Sequence, residues 1–186
     1  VVVAPLASGS LYTKLDKGSS ELFAVGLVDG VRSRYVGGQP AGCGPIASAF
    51  RDGSESVTPV RVPATVVRSL AIGSPADGGK ALEVARGSGG SILGVDDAET
   101  ISAIRLLAES EGILTETAGG VTVAALRRAV IEGTVRRGDE VVLVITGNGL
   151  KTLDVLDRPA AAAIEPTFEA FEQWWGERGA AEAAAA

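Results

Sequence analysis

Histidine and methionine are both absent from this sequence, and cysteine occurs once, at Cys43. Without histidine, Ser-His-Asp and Cys-His catalysis are excluded, as are metal sites built on imidazole. No metal site of any kind is expected. A single cysteine also excludes an internal disulfide framework and any CxxC pair. No apolar run reaches the ~18 residues that a membrane-spanning helix needs. The opening "VVVAPLASGS" lacks the charged n-region of a signal peptide, so a cytoplasmic protein is expected. Lys and Arg total 17 against 23 Asp and Glu, a net charge of −6, which argues against a nucleic-acid partner. The arginines at 127, 128, 136 and 137 do not alter this, because acidic residues flank them. With no initiating methionine and an apolar run at its start, the chain is expected to be part of a longer protein.

Of the 186 residues, 46% are apolar and 22% charged, which suits one soluble globular domain with a real core. Apolar runs that read as strands occur at 1–6, 31–38, 91–95 and 140–147. Between them lie stretches with helical character at 11–25, 43–53, 80–90, 96–112 and 117–133. Asp96 or Asp97 can cap the fourth helix, whose apolar face is Ile101, Ile104, Leu107 and Ala108. The fifth is apolar at Val121, Ala124, Ala125 and Leu126. Residues 54–68 read as an extended connection and 69–79 as a loop. The strand runs are continuous rather than alternating in polarity. Together with the alternation of strand and helix, this predicts an α/β fold. Its three layers are a mostly parallel sheet with helices on both faces.

Ligands of open parallel sheets bind beyond the carboxyl ends of the strands. Two loops fall there. "APLASGSLYTK" (4–14) runs from a strand end through small residues into a helix start. Small side chains let backbone amides approach an anion, and the helix N-terminus adds partial positive charge. Ser8 and Ser10 can donate hydroxyl hydrogens. The same pattern is also an ordinary βα connection, and no Walker lysine follows. "ITGNGLK" (145–151) places Thr146 at a strand end before two glycines that permit tight turns. On the pattern alone, a plain turn with Thr146 merely ending the strand is the commoner reading.

Other polar residues are weaker candidates. Glu116 sits before a helix and could orient a ring or a ligand, but an acidic residue there is usually a response to the dipole. Asp77 reads as a turn former. Cys43 has no histidine to activate it and reads as a small buried thiol. The lysines are Lys14, Lys17, Lys80 and Lys151, each read as a solvated charge. Trp174 and Trp175 lie on an acidic C-terminal stretch and suggest core packing or an interface.

Five stretches occur in order: "VAPLASGSLYTKLDKG" (3–18), "YVGGQPAGCGPIASAF" (35–50), "SLAIGSPADG" (69–78), "TETAGGVTVAALR" (115–127) and "VVLVITGNGLKTL" (141–153). The set resembles the C-terminal half of the threonine synthase family, pyridoxal-phosphate enzymes of the tryptophan-synthase-β fold type. The resemblance covers roughly residues 1–155. It implies a catalytic half-domain at 1–160 and an extension at 161–186 with a frayed tail.

The resemblance also assigns roles. The family's phosphate-cradling loop maps to Ala7, Ser8, Gly9, Ser10 and Leu11. This sequence has "ASGSL" where many members carry a glycine- and asparagine-rich version. The family's hydrogen-bond partner of the pyridine nitrogen maps to Thr146. The Schiff-base lysine belongs to the family's N-terminal half and to none of the lysines here, so no catalytic residue is expected in this chain. The implied activity is conversion of O-phosphohomoserine and water to threonine and phosphate, by an enzyme compatible with a homodimer. Alternatives are another enzyme of the same fold type, such as a threonine or serine dehydratase or a cysteate synthase, or an inactive binding fragment.

Overall fold

The computed structural model describes residues 1–30, 32–156 and 163–184. The chain divides into two units, Val1–Leu156 and Asp157–Ala186. The boundary expected near residue 160 lies outside the described residues.

The first unit is built on four parallel strands, β1 (Val2–Pro5), β2 (Tyr35–Pro40), β3 (Ser91–Val95) and β4 (Val142–Leu143). Their order across the sheet is β3-β2-β1-β4. β1 pairs with β2 in the register Val2 to Tyr35, and with β4 in the register Val2 to Val142. Helices α1 (Ser10–Ala24), α2 (Pro45–Arg51) and α3 (Gly78–Ser88) carry the chain from β1 to β3. Helices α4 (Asp97–Glu111) and α5 (Thr117–Ile131) carry it back to β4.

Each face of the sheet has its own core, because successive side chains of a strand point to opposite faces. Val3, Val36, Leu93 and Val95 pack against the buried residues of α4 and α5. Ala4, Tyr35 and Ile92 pack against α1, α2 and α3. This is the expected three-layer α/β architecture. α5 is buried nearly all round from Thr117 to Ala125, which explains why its sequence lacks a polar face. α4 starts on a capping box: Asp96 accepts from the Glu99 amide at 2.7 Å, and Glu99 accepts from the Asp96 amide at 2.9 Å. Glu99 also holds Arg128 of α5 at 2.7 Å, tying the two helices together.

Two expectations need correction. The second strand begins at Tyr35 rather than at 31, and its glycines lie inside it rather than at its end. A Cβ at Gly37 would fall 1.9 Å from Leu6 Cδ1, and one at Gly38 would fall 2.9 Å from Ala125 Cβ. Those glycines let the layers close on the strand from either side. The last strand is not buried over 140–147. Only Val142–Leu143 is regular strand, and Val142 is 60% exposed. β4 has one neighbour, β1, and the ladder ends with the Val144 amide donating to Val3 O at 2.9 Å. The first helix, expected over 11–25, runs unbroken from Ser10 through Ala24.

The second unit contains α6 (Phe168–Ala184). The tail expected to fray from 179 is helical backbone through Ala184, and residues 185–186 lie outside the described residues. Phe171 stacks on Trp175 with ring centroids 6.0 Å apart and meets Trp174 at 6.1 Å. Core packing is not what Trp175 does within this unit, where it is 63% exposed. No helix among the described residues is long and apolar enough to cross a membrane.

Candidate functional site

The strand order creates a switch point. From β1 the chain winds outward to β2 and β3, then returns to the other side of β1 as β4. The connections beyond β1 and β4 therefore part in opposite directions and leave a crevice between them, the usual ligand position in open α/β sheets. A cleft of about 260 Å³ lies there. This is near the lower end of ordinary small-molecule pockets, ~300 Å³. Ala7, Ser8, Gly9, Ser10 and Leu11 line it from the β1 side and Thr146 from the β4 side. All six residues singled out in the sequence thus meet in one cleft.

The β1 loop is held rigidly. Leu6 donates to Gly38 O at 2.8 Å, which extends the β1–β2 ladder past Pro5. Gly9 then turns the chain into α1 with φ +95°, a conformation that favours glycine. A Cβ at Gly9 would also lie 2.9 Å from the carbonyl oxygen of Asp77. The Asp77 amide donates to Ser8 O at 2.9 Å, so the "SPADG" loop braces the β1 loop from behind. Asp77 is therefore a brace at the start of α3, in keeping with its reading as a turn former. α1 is seated by Tyr12, whose buried hydroxyl donates to Tyr35 O at 2.8 Å. Burial, together with nearby Asp16, drives the phenol's pKa upward, so Tyr12 stays a neutral anchor. Gly9, at the N-cap of α1, has no side chain to cap it, and the Ser10 amide donates to Ser8 Oγ at 3.4 Å. The Leu11 and Tyr12 amides that follow remain hydrogen-bond donors at the cleft.

The β4 side is stapled to α5. Thr115 Oγ1 lies 3.4 Å from the Thr146 carbonyl and 3.3 Å from that of Gly147. The Gly149 amide donates to Leu114 O at 3.0 Å. Asn148 Oδ1 accepts the Leu150 amide at 2.9 Å, starting the short 3-10 stretch at Gly149–Val155. Gly147 has φ +75°, and a Cβ there would lie 2.0 Å from Glu116 Oε1.

Pro5, Ser69, Leu70, Glu116 and Ala118 complete the lining. Glu116 is open in the sequence to two readings, a ligand-orienting group and a dipole effect. It does stand at the N-cap of α5, but its carboxylate is nearly buried and is the one charged group of the lining. Lys151 Nζ holds it at 3.0 Å. Ser69 lay in a quoted motif, yet nothing in its spacing marked it, since it reaches the cleft through a 3-10 turn at Arg68–Leu70. Lys14, Lys17 and Lys80 are exposed and do not line the cleft. Cys43 is fully buried and also lies outside it, with its thiol pKa pushed up by burial.

Residues 1–147 match the family described as pyridoxal-phosphate dependent enzymes. The chain belongs to that family. Its cofactor is thus pyridoxal phosphate, and the resemblance seen in the sequence holds. The threonine synthase of Methanocaldococcus jannaschii is 32% identical over 88% of this chain and 40% of its own length. That of Methanosarcina acetivorans is 35% identical over 85% and 40%. The chain spans about two-fifths of the length of these relatives. Among solved structures, threonine deaminase isoform 2 from Solanum lycopersicum superposes with a TM-score of 0.62 at 14% identity, covering 83% of this chain and 41% of that one. That likeness concerns the fold alone.

Proposed function

We propose that this unit supplies the phosphate-binding and ring-nitrogen half of a pyridoxal-phosphate site, in a protein that acts as a threonine synthase. The observation that carries the reading is the cleft at the switch point, where the loop after β1 and Thr146 beyond β4 form one lining. Its donor set suits the cofactor. Small side chains from Ala7 to Ser10 leave the amides of α1 open to a phosphate, and Ser8 and Ser10 add hydroxyl donors. Thr146 offers the ring nitrogen a neutral hydroxyl. Such a partner holds the nitrogen in place without drawing a proton onto it as a carboxylate would.

Bound there, pyridoxal phosphate supplies an electron sink for carbanions at the substrate carbons. The residues of this chain bind and orient it. That no lysine among the described residues lines the cleft supports a cofactor-bonding lysine supplied from outside this chain. The chain alone is accordingly inactive. In the intact protein, O-phosphohomoserine loses phosphate from its γ carbon and gains water at its β carbon, giving threonine. The relatives at 32–35% identity, both named threonine synthase, support that reading. A homodimer is the companion expectation, read by light scattering of the intact protein.

The discriminating assay offers the intact protein O-phosphohomoserine, threonine and serine. Phosphate release without 2-oxobutyrate is the expected result. Formation of 2-oxobutyrate from threonine, with no phosphate released from O-phosphohomoserine, would establish a dehydratase instead.

A further inference from the structure

The cleft's one charged lining residue stands beside its proposed ring-nitrogen partner. Glu116 presses against the Thr146–Gly147 backbone: a Cβ at Gly147 would overlap its carboxylate, and the preceding Thr115 reaches the Thr146 carbonyl. An uncompensated carboxylate there would oppose what a threonine provides. It would attract a proton to any basic nitrogen held by the neutral hydroxyl. Lys151 meets this carboxylate at 3.0 Å, with 61% of its own side chain exposed and only 7% of the glutamate's. The pair is thus a buried carboxylate capped by a cation from the solvent side.

Other charges near this corner are accounted for. Arg68 and Asp154, on the two 3-10 turns, pair with each other at 2.8 Å. Asp77 lies behind the β1 loop, with its backbone against Gly9. Neither replaces Lys151 as the counter-charge of Glu116.

We propose that Lys151 is a positioning residue that acts through Glu116: it cancels the carboxylate's charge, so that a pyridine nitrogen at Thr146 stays unprotonated. This rests on the cofactor site proposed above and adds to it a control on the ring's electronics. It also gives "TGNGLK" a second functional position, five residues beyond the threonine. Gly147 makes room for the glutamate, and the turn at Asn148–Leu150 brings the lysine back to it.

The test is a pH titration of pyridoxal 5'-phosphate carrying ¹⁵N in the ring, bound to this chain and followed by NMR. In Lys151→Met the ring nitrogen's titration midpoint is expected to rise. In Lys151→Arg it should stay at the wild-type value. The double variant Glu116→Gln/Lys151→Met should bring it back down. A purely structural role would weaken binding without moving the midpoint of the bound fraction. An unchanged midpoint in Lys151→Met would overturn the inference and leave the site reading intact. Should Lys151→Met fail to bind, Glu116→Gln alone decides: the midpoint should fall, and no change overturns the inference. Absence of binding by the wild-type chain would overturn the site reading and this inference with it.

Discussion

Gly147 and Glu116 exclude each other's growth: a Cβ on the glycine would lie 2.0 Å from the glutamate's Oε1. The positive φ of +75° at Gly147 adds a second reason for glycine. Gly147→Ala must therefore both strain the backbone, by roughly 1–3 kcal/mol, and push the carboxylate out of place. The expected outcome is a lower urea midpoint together with loss of pyridoxal-phosphate binding at the cleft. Unaltered binding in a folded Gly147→Ala protein would show that the Glu116 position is irrelevant to the site.

The β1 loop makes a matching prediction. Gly9→Ala places a methyl 2.9 Å from the Asp77 carbonyl at a φ of +95°. A loss of roughly 1–3 kcal/mol is expected from the backbone strain alone. Phosphate affinity should fall as well, because the same residue turns the chain into α1. Urea unfolding and a phosphate titration of the same variant read the two effects separately.

The capping box of α4 lies away from the cleft and should affect stability without affecting binding. Asp96→Ala is expected to cost about 1 kcal/mol. The variant should show a lower urea midpoint at unchanged slope, with cofactor affinity as in the wild type.

The same box carries a pH dependence. The Arg128 guanidinium, opposed by partial burial and aided by the Asp96 amide, holds the Glu99 carboxyl below its ordinary value. A carboxylate depressed in the folded state contributes stability that is full above its unfolded pKa, near ~4.3. That contribution is lost as the pH falls through the folded value. Glu99→Gln should therefore flatten the acid limb of stability below about pH 4.3 and leave the slope at neutral pH unaltered. Urea midpoints measured across the acid range check this.

Much of the fold was legible because strand and helix alternate and the strand runs are continuous. β1, β3, α3, α4 and α5 fall close to their expected ranges, since each is closed by an unambiguous signal such as Asp96 or Gly89. β4 was misread because "VVLVI" is as apolar as a central strand, while its depth depends on how many neighbours pair with it. Only the assembled sheet shows that number. In the site, the residues contiguous in the β1 loop and the terminal Thr146 could be found from strand ends. Ser69 could not, because a 3-10 segment brings it to the cleft, and neither could the pairing of Glu116 with Lys151, which a turn brings together from distant positions. A buried glutamate and a dipole-placed glutamate look alike in sequence. The glycine at 147 distinguishes them only once its neighbour is known.

The central claim is that the β1 loop and Thr146 form one pyridoxal-phosphate half-site. Calorimetric titration of pyridoxal 5'-phosphate into this chain tests it most directly, with Ser8→Ala/Ser10→Ala and Thr146→Val as variants and borohydride treatment of the product. Saturable one-to-one binding is expected, competed by inorganic phosphate and weakened in both variants, with no lysine fixed by borohydride. Absence of saturable binding, binding indifferent to all three substitutions, or fixation of the cofactor to a single lysine of this chain would contradict it.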